Sequence, residues 1–410
     1  MRERSLTDIL AVCNFQKRKA KVQQMNHQKT IQAFPSLDIR KLFTGRTHSD
    51  PVLASTSTRF YASGRAALFH AVKSLNCPPG CIILLPSFNC GVEVEAVLRA
   101  GCKADFYRIK NDLNIDADHI AGKISTKTKG IVVPHYFGFP QDVTGVKELC
   151  SSMDIALMED CAHALYSQNS NGKWLGTDGD LGLFSMRKTV FLPNGGAVLV
   201  NGKGFAIPDK GKRCFRPELL KMLAKSIIEN EADRNGIASG TSRWLLNTYS
   251  KYAATSDFSS GSGEAVDLGW YYDLPTLDYK DDMSAVSSFC AGKEPFGDIV
   301  AARRKNYAAL EEILKKQFAN DFAFPELSGG VCPLCFPLLV SHRDAVVSRM
   351  TARGVVPYVF GRCTHPRIDK REFPELEFLA GSVIGLPIHH QLAQEEMERV
   401  ADAFTRSIER

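Results

Sequence analysis

The sequence has no run of about 18 uninterrupted apolar residues, so it holds no candidate transmembrane helix. Its N-terminus lacks the apolar core of a secretory signal. Residues 1–30 carry Arg2, Arg4, Lys17, Arg18, Lys19 and Lys21, interrupted by Glu3 and Asp8, and read as a disordered extension. Cytoplasm is the expected compartment. Much of the net charge of +6 sits in this arm. Beyond it no basic block is interleaved with aromatics, which argues against a nucleic-acid partner. The twelve cysteines are dispersed and do not form a disulfide scaffold. Cys332-Pro333-Leu334-Cys335 has metal-ligand spacing, but no second such pair lies nearby to complete four ligands. With the apolar run Phe336 to Val340 behind it, it reads as part of a buried strand, and no metal is expected.

What is present is an ordinary globular composition, 44% hydrophobic and 23% charged over 410 residues, enough for a large core. Strand and helix patterns alternate from residue 64 to residue 160. Ser63 caps a helix that begins Gly64-Arg65-Ala66. Cys81 to Leu85 reads as a buried strand, and Pro86-Ser87-Phe88-Asn89-Cys90-Gly91 as the turn into the next helix. Gly101–Arg108 and Gly130–Gly138 continue the series, and Val143–Met153 is helical. Such alternation predicts a parallel sheet with helices on both faces and a ligand site beyond the carboxyl ends of the strands. Further on, helices are expected over Pro217–Asn230, Ser242–Tyr252, Val300–Lys316 and Arg343–Arg353. Strands are expected over Cys332–Val340 and Val355–Phe360, and a last helix over Ala393–Ile408.

The chain is organised around Ile155 to Val200. An apolar run ends on Glu159-Asp160, and a carboxylate at the end of a buried strand costs several kcal/mol, on the order given for unpaired charges, unless a cation partners it. Ser185-Met186-Arg187-Lys188 and Pro193-Asn194-Gly195-Gly196 follow, then a second apolar run. Lys188 is the only lysine between Lys173 and Lys203. An acid to keep a pyridine nitrogen protonated, with a lysine to hold an aldehyde as a Schiff base, is what a pyridoxal phosphate (PLP) enzyme needs.

These residues resemble the core of the DegT family of sugar aminotransferases. Its E-D-A-A-Q segment corresponds to Glu159-Asp160-Cys161-Ala162-His163, and its K-G-x-x-x-G-x-x-G-D segment to Lys173 through Asp180. Its S-F run and G-G turn correspond to Phe184-Ser185 through Gly195-Gly196. Gly64 and Arg65 fall in its phosphate-holding S-G-T-A-A-L turn, with Arg65 in place of threonine. Asn89 and Cys90 fall in its P-S-x-T-aromatic turn, with Cys90 at the aromatic position. Lys188 lies three residues after Ser185, where relatives have five.

The resemblance implies PLP fold type I: a large domain (31–265) with a mostly parallel sheet flanked by helices, and a small α/β C-terminal domain (266–410). It implies PLP as cofactor, bound by Gly64, Arg65, Asn89, Cys90, Asp160, His163 and Ser185, with Lys188 catalytic. It also implies an amino-acid donor with glutamate expected, a nucleotide-linked keto-sugar acceptor, a role in amino-sugar, surface-polysaccharide or secondary-metabolite biosynthesis, and a homodimer. Two alternatives stay open: a non-catalytic binding or scaffold protein on this fold, and a PLP-dependent sugar dehydratase, against which Lys188 argues. His365, His389 and His390 are candidates for the substrate mouth.

Overall fold

The computed structural model describes residues 30–36, 46–207, 212–213, 279–362 and 364–408. In chain order these form β1 (Thr58–Tyr61), α1 (Gly64–Ser74), β2 (Ile82–Pro86), α2 (Val92–Arg99), β3 (Lys103–Tyr107), α3 (Ala117–Lys123), β4 (Thr128–Pro134), α4 (Thr144–Met153), β5 (Ala156–Asp160), β6 (Leu181–Phe184) and β7 (Gly196–Val200). After them come β8 (Lys212–Arg213), β9 (Asp281–Asp282), α5 (Ala285–Cys290), α6 (Phe296–Phe318), β10 (Phe336–Leu339), α7 (Arg343–Ala352), α8 (Pro374–Ser382), β11 (Val383–Leu386) and α9 (Gln394–Ile408). The helices expected over Pro217–Asn230 and Ser242–Tyr252, the boundary at 265/266 and nearly all of the 1–30 extension lie outside the described residues.

The main sheet runs β3-β2-β4-β5-β6-β7-β1-β9-β8. From β3 to β6 every pairing is parallel, and β7 turns back antiparallel against β6. Ile83, Leu84, Leu85, Ile131, Val133, Leu157 and Met158 are all at most 1% exposed. Such continuous apolar runs are what strands covered on both faces require. This is the α/β fold expected from the alternation.

Register decides what the sheet does. Pro134 sits opposite Asp160, Asp160 opposite Leu183, and Phe184 opposite Ala197. The carboxyl ends of β2, β4, β5 and β6 therefore share one edge. β1 ends there and β7 starts there, with Tyr61 opposite Gly196. Ser63 then caps α1 by accepting the Ala66 N–H at 3.2 Å. β7 lies so close to this turn that a Cβ on Gly196 would fall 2.1 Å from the Ser63 carbonyl oxygen. Both partners are backbone, so neither can swing away. Gly196→Ala is expected to cost about 2 kcal/mol or more, at the upper end of overpacking effects. A thermal melt checks this, and an unchanged midpoint would show that the turn can yield.

The C-terminal part is built on α6, which buries Ile299, Arg303, Tyr307, Leu310, Leu314 and Phe318 at helical spacing. Beside it lies the antiparallel pair β10–β11, with Phe336 opposite Leu386. Two expected strands are shorter or absent. Only Phe336–Leu339 of the Cys332–Val340 run is strand. Ahead of it the backbone is already committed: Arg303 Nη1 donates to the Pro333 and Leu334 carbonyls at 3.2 and 2.8 Å, and the Cys332 N–H donates to Ser167 Oγ at 2.9 Å. Val355–Phe360 makes only isolated bridges, Val355 to Ile31 and Tyr358 to Gly385, and is not a regular strand.

Candidate active site

The side chains of β5 alternate, as strand geometry demands. Glu159 is fully buried. It accepts from His135 Nε2 at 2.9 Å and from the backbone N–H groups of Gly176, Asp178 and Gly179 at 3.1, 2.7 and 2.6 Å. Asp160 faces a cavity instead, with Oδ1 accepting the Ala162 N–H at 2.9 Å. Burial, and then the nearby charge of Glu93, push the Asp160 carboxyl up to about 6, against the pull of Lys188. It is mostly ionised at neutral pH.

Lys188 closes a single 3₁₀ turn, Met186–Lys188. The Met186 N–H donates to Gly195 O at 3.2 Å and the Lys188 N–H to Ser185 O at 3.2 Å. Arg303, buried in α6 at 1% exposed, donates from Nη2 to Thr189 O at 2.9 Å and so pins the residue after the lysine. The compact spacing from Ser185 still delivers Lys188 to the cavity that holds Asp160. Its Nζ sits 5.9 Å from the centre of the Phe360 ring. Burial pulls the Lys188 ammonium down from its ordinary value, opposed by Cys90, Asp160 and Glu93.

This cavity, about 460 Å³, is lined by Gly64, Arg65, Cys90, Asp160, Ser185 and Lys188, with Glu93, Tyr358 and Phe360. A Cβ on Gly64 would lie 3.1 Å from that of Ser185, so α1 begins hard against the β6 end. The first N–H groups of a helix have no intrahelical acceptor, which makes this end an anion site. Arg65 stands beside it, and its buried Nε has no hydrogen-bond partner among the described residues.

Asn89 and His163 line a smaller adjoining cavity that shares Asp160 and Lys188. Both are engaged within the protein. Asn89 braces its own turn, donating to Pro86 O and accepting from the Gly91 N–H, both at 2.7 Å. His163 Nδ1 accepts the Phe137 N–H at 3.3 Å, which leaves the ring proton on Nε2, 2.9 Å from Tyr358 Oη. Burial and then Lys188 hold this imidazole well below its ordinary value, so it is neutral. Cys90 Sγ lies 3.2 Å from both Glu93 oxygens, and burial raises its thiol well above the usual range.

Of the candidate mouth histidines, His365 pairs with Glu95 at 3.1 Å and His390 with Glu294 at 2.8 Å, and none of the three lines the Lys188 cavity. Sequence reading missed Glu93, Tyr358 and Phe360. Glu93 stands three residues past Cys90, in the first turn of α2, where spacing could have found it. Tyr358 and Phe360 reach the site from the far end of the chain, and nothing local marks them.

Residues 58–206 match the DegT/DnrJ/EryC1/StrS aminotransferase family, a span that includes every residue singled out between Gly64 and Lys188. The chain carries a DegT/DnrJ/EryC1/StrS aminotransferase family domain. It is 31% identical to a GDP-perosamine synthase of Vibrio cholerae over 34% of this chain and 39% of that protein. It is 26% identical to a UDP-N-acetyl-3-dehydro-alpha-D-glucosamine 3-aminotransferase of Acidithiobacillus ferrooxidans over 85% and 83% of the two chains. Among solved structures, the aminotransferase PseC of Helicobacter pylori matches with a TM-score of 0.63 at 17% identity, covering 93% of this chain and all of that one. TlmJ of Streptoalloteichus hindustanus matches at 0.60 and 19%, covering 92% and 97%. The fold is therefore that of the DegT-type aminotransferases, fold type I as expected. No helix among the described residues is long and apolar enough to cross a membrane.

Proposed function

We propose that this chain is a PLP-dependent aminotransferase that moves an amino group from an amino acid, glutamate the expected donor, to a keto sugar carried on a nucleotide. The observation that carries the reading is the convergence of Asp160 and Lys188 on one cavity whose other wall is the Gly64–Arg65 helix start against Ser185. The donor set fits the cofactor: an anion-holding helix end, an arginine with an unpartnered buried nitrogen, a carboxylate and an amine. The sugar nucleotides in the relatives' names, a keto-sugar nucleotide acted on in one of them, support the acceptor class.

Bound PLP supplies an aldehyde that captures amines and a protonated ring that takes up electron density. Gly64, Arg65 and Ser185 would hold its phosphate, and Asp160 would keep a proton on its ring nitrogen. Lys188 is the nucleophile and the proton carrier. Burial favours its neutral amine, the form that can attack a carbonyl or accept a proton. Cys90, a neutral thiol, would offer the ring a polarisable surface where relatives place an aromatic. We expect the chain to act as a homodimer, as the family resemblance implies.

The test is spectroscopic. On adding PLP the protein is expected to develop a visible band that bleaches with glutamate, and a nucleotide keto sugar should restore it. No band at saturating PLP would sink the proposal in favour of a scaffold protein on this fold. A band that glutamate leaves unchanged would remove glutamate as donor.

A further inference from the structure

A second side-chain cluster lies at the opposite edge of the sheet from Lys188. Cys77 follows the C-terminus of α1, Cys81 directly precedes β2, and Cys102 directly precedes β3. Parallel pairing of Ile82 with Lys103 sets Cys81 and Cys102 side by side. Their Sγ atoms are 2.9 Å apart. The Cys77 sulfur joins them, so that all three Sγ atoms lie within 4.8 Å of one another. Cys81 and Cys102 are 2% and 7% exposed, whereas Cys77 is half-buried and gives the cluster a face to solvent. The eleven residues of α1, at about 1.5 Å rise each, separate this cluster from the cofactor edge by about 16 Å.

We propose that Cys77, Cys81 and Cys102 form a three-thiolate site for one soft, thiophilic cation of the copper(I) type. Metal–sulfur bonds of about 2.3 Å place sulfurs around one ion about 4 Å apart. The trio already satisfies that reach, and the Cys81–Cys102 pair has only to open by about 1 Å. No histidine or carboxylate joins the cluster among the described residues. An all-sulfur set selects soft ions and excludes magnesium and calcium, which demand oxygen. Three ligands suffice for copper(I), whereas structural zinc takes four. On binding, three S–H bonds give way to three sulfur–metal bonds and three protons leave to solvent, with no electrons exchanged. The ammonium of Lys129 acts on Cys77 and offsets part of the negative charge that results. A peroxide-sensing role fits less well, because burial pushes the Cys77 thiol up to about 11, and sensor thiols need a low pKa.

The experiment is an anaerobic titration of the full chain with copper(I) against a chromogenic copper(I) chelator. One equivalent should bind, with an ultraviolet thiolate-to-copper band. Cys77→Ser and Cys102→Ser each remove a ligand and should weaken binding by more than about 10-fold, the lower bound of the loss when only an outer-shell partner of a ligand is removed. Serine at Cys13, Cys150, Cys214 or Cys363 should leave it unchanged. If Cys102→Ser fails to fold, Cys77→Ser decides, since its half-buried place after a helix tolerates the change. No stoichiometric binding, or binding that survives Cys77→Ser, would overturn the proposal. The readout needs neither PLP nor turnover, so its failure is separate from failure of the aminotransferase reading.

Discussion

Lys188→Ala is expected to abolish covalent capture of PLP and to lower turnover by about 10³-fold or more. A positioned acid–base group alone contributes about 10²–10⁴-fold, and Lys188 is asked to be the nucleophile as well. Borohydride should fix the cofactor to wild type and not to the variant. The fold should survive, because the change removes an ammonium that burial already disfavours. Asp160 gives a second readout. Its carboxyl is held up at about 6 against the pull of Lys188, so without the lysine it should titrate higher still. Lys188→Arg separates charge from chemistry: it should restore the Asp160 titration but not the covalent capture. A small free amine should return part of the activity to Lys188→Ala if the lysine's main work is moving a proton. If wild type and Lys188→Ala show the same spectrum and the same borohydride behaviour, Lys188 is not the attachment point.

The parts of the site that were legible in the sequence are those set by local rules. Pro86, Pro134 and Asp160 each close an apolar run, and the parallel register brings those strand ends to one edge. Ser63 announced a helix start, and the cap is there. Lys188 stood out because no other lysine was near. The strand period could also have separated Glu159 from Asp160, which the sequence presents as a pair and the pleat sends to opposite faces. What local rules could not show are contacts made across the chain. Tyr358 meets His163, Phe360 sits beside Lys188, and Arg303 takes up carbonyls from Thr189, Pro333 and Leu334. The last of these also explains why Cys332–Cys335 is apolar and buried yet not strand. A side chain outcompetes the ladder there, and neither composition nor periodicity carries that information.

Glu159→Gln should be the most destabilising single exchange near the site, by about 3–5 kcal/mol, the range for breaking a buried charge interaction. All the partners of this carboxylate are donors. Oε1 accepts the Asp178 and Gly179 N–H groups, and Oε2 accepts the Gly176 N–H and His135 Nε2. His135 Nδ1 accepts the Gln141 N–H at 3.0 Å, so Nε2 carries the ring proton and donates even when the histidine is neutral. A glutamine amide must turn its NH₂ toward one of these donor pairs and leave two buried N–H groups unpaired. Relief by movement is blocked: Cβ atoms on Gly179 and Gly182 would fall 2.7 Å from Leu157 O and 2.3 Å from Gly176 O, so the loop is already pressed onto β5 and β6. The pH dependence follows from the same contacts. Burial pushes the Glu159 carboxyl up, but the His135 hydrogen bond and the Gly179 and Gly176 N–H groups outweigh it, and the net position is below the ordinary value. A depressed carboxyl stabilises the fold fully above its unfolded pKa of about 4.3, and loses that contribution as pH falls through the folded value. Urea melts should therefore show the full gap between wild type and Glu159→Gln at pH 7, and a narrowing gap below about pH 4. A gap under about 1 kcal/mol at pH 7, in the range of an ordinary neutral hydrogen bond, would mean that the loop finds other acceptors. Because Asp160 is the next residue on the same strand, the variant should also bind PLP more weakly even where it remains folded.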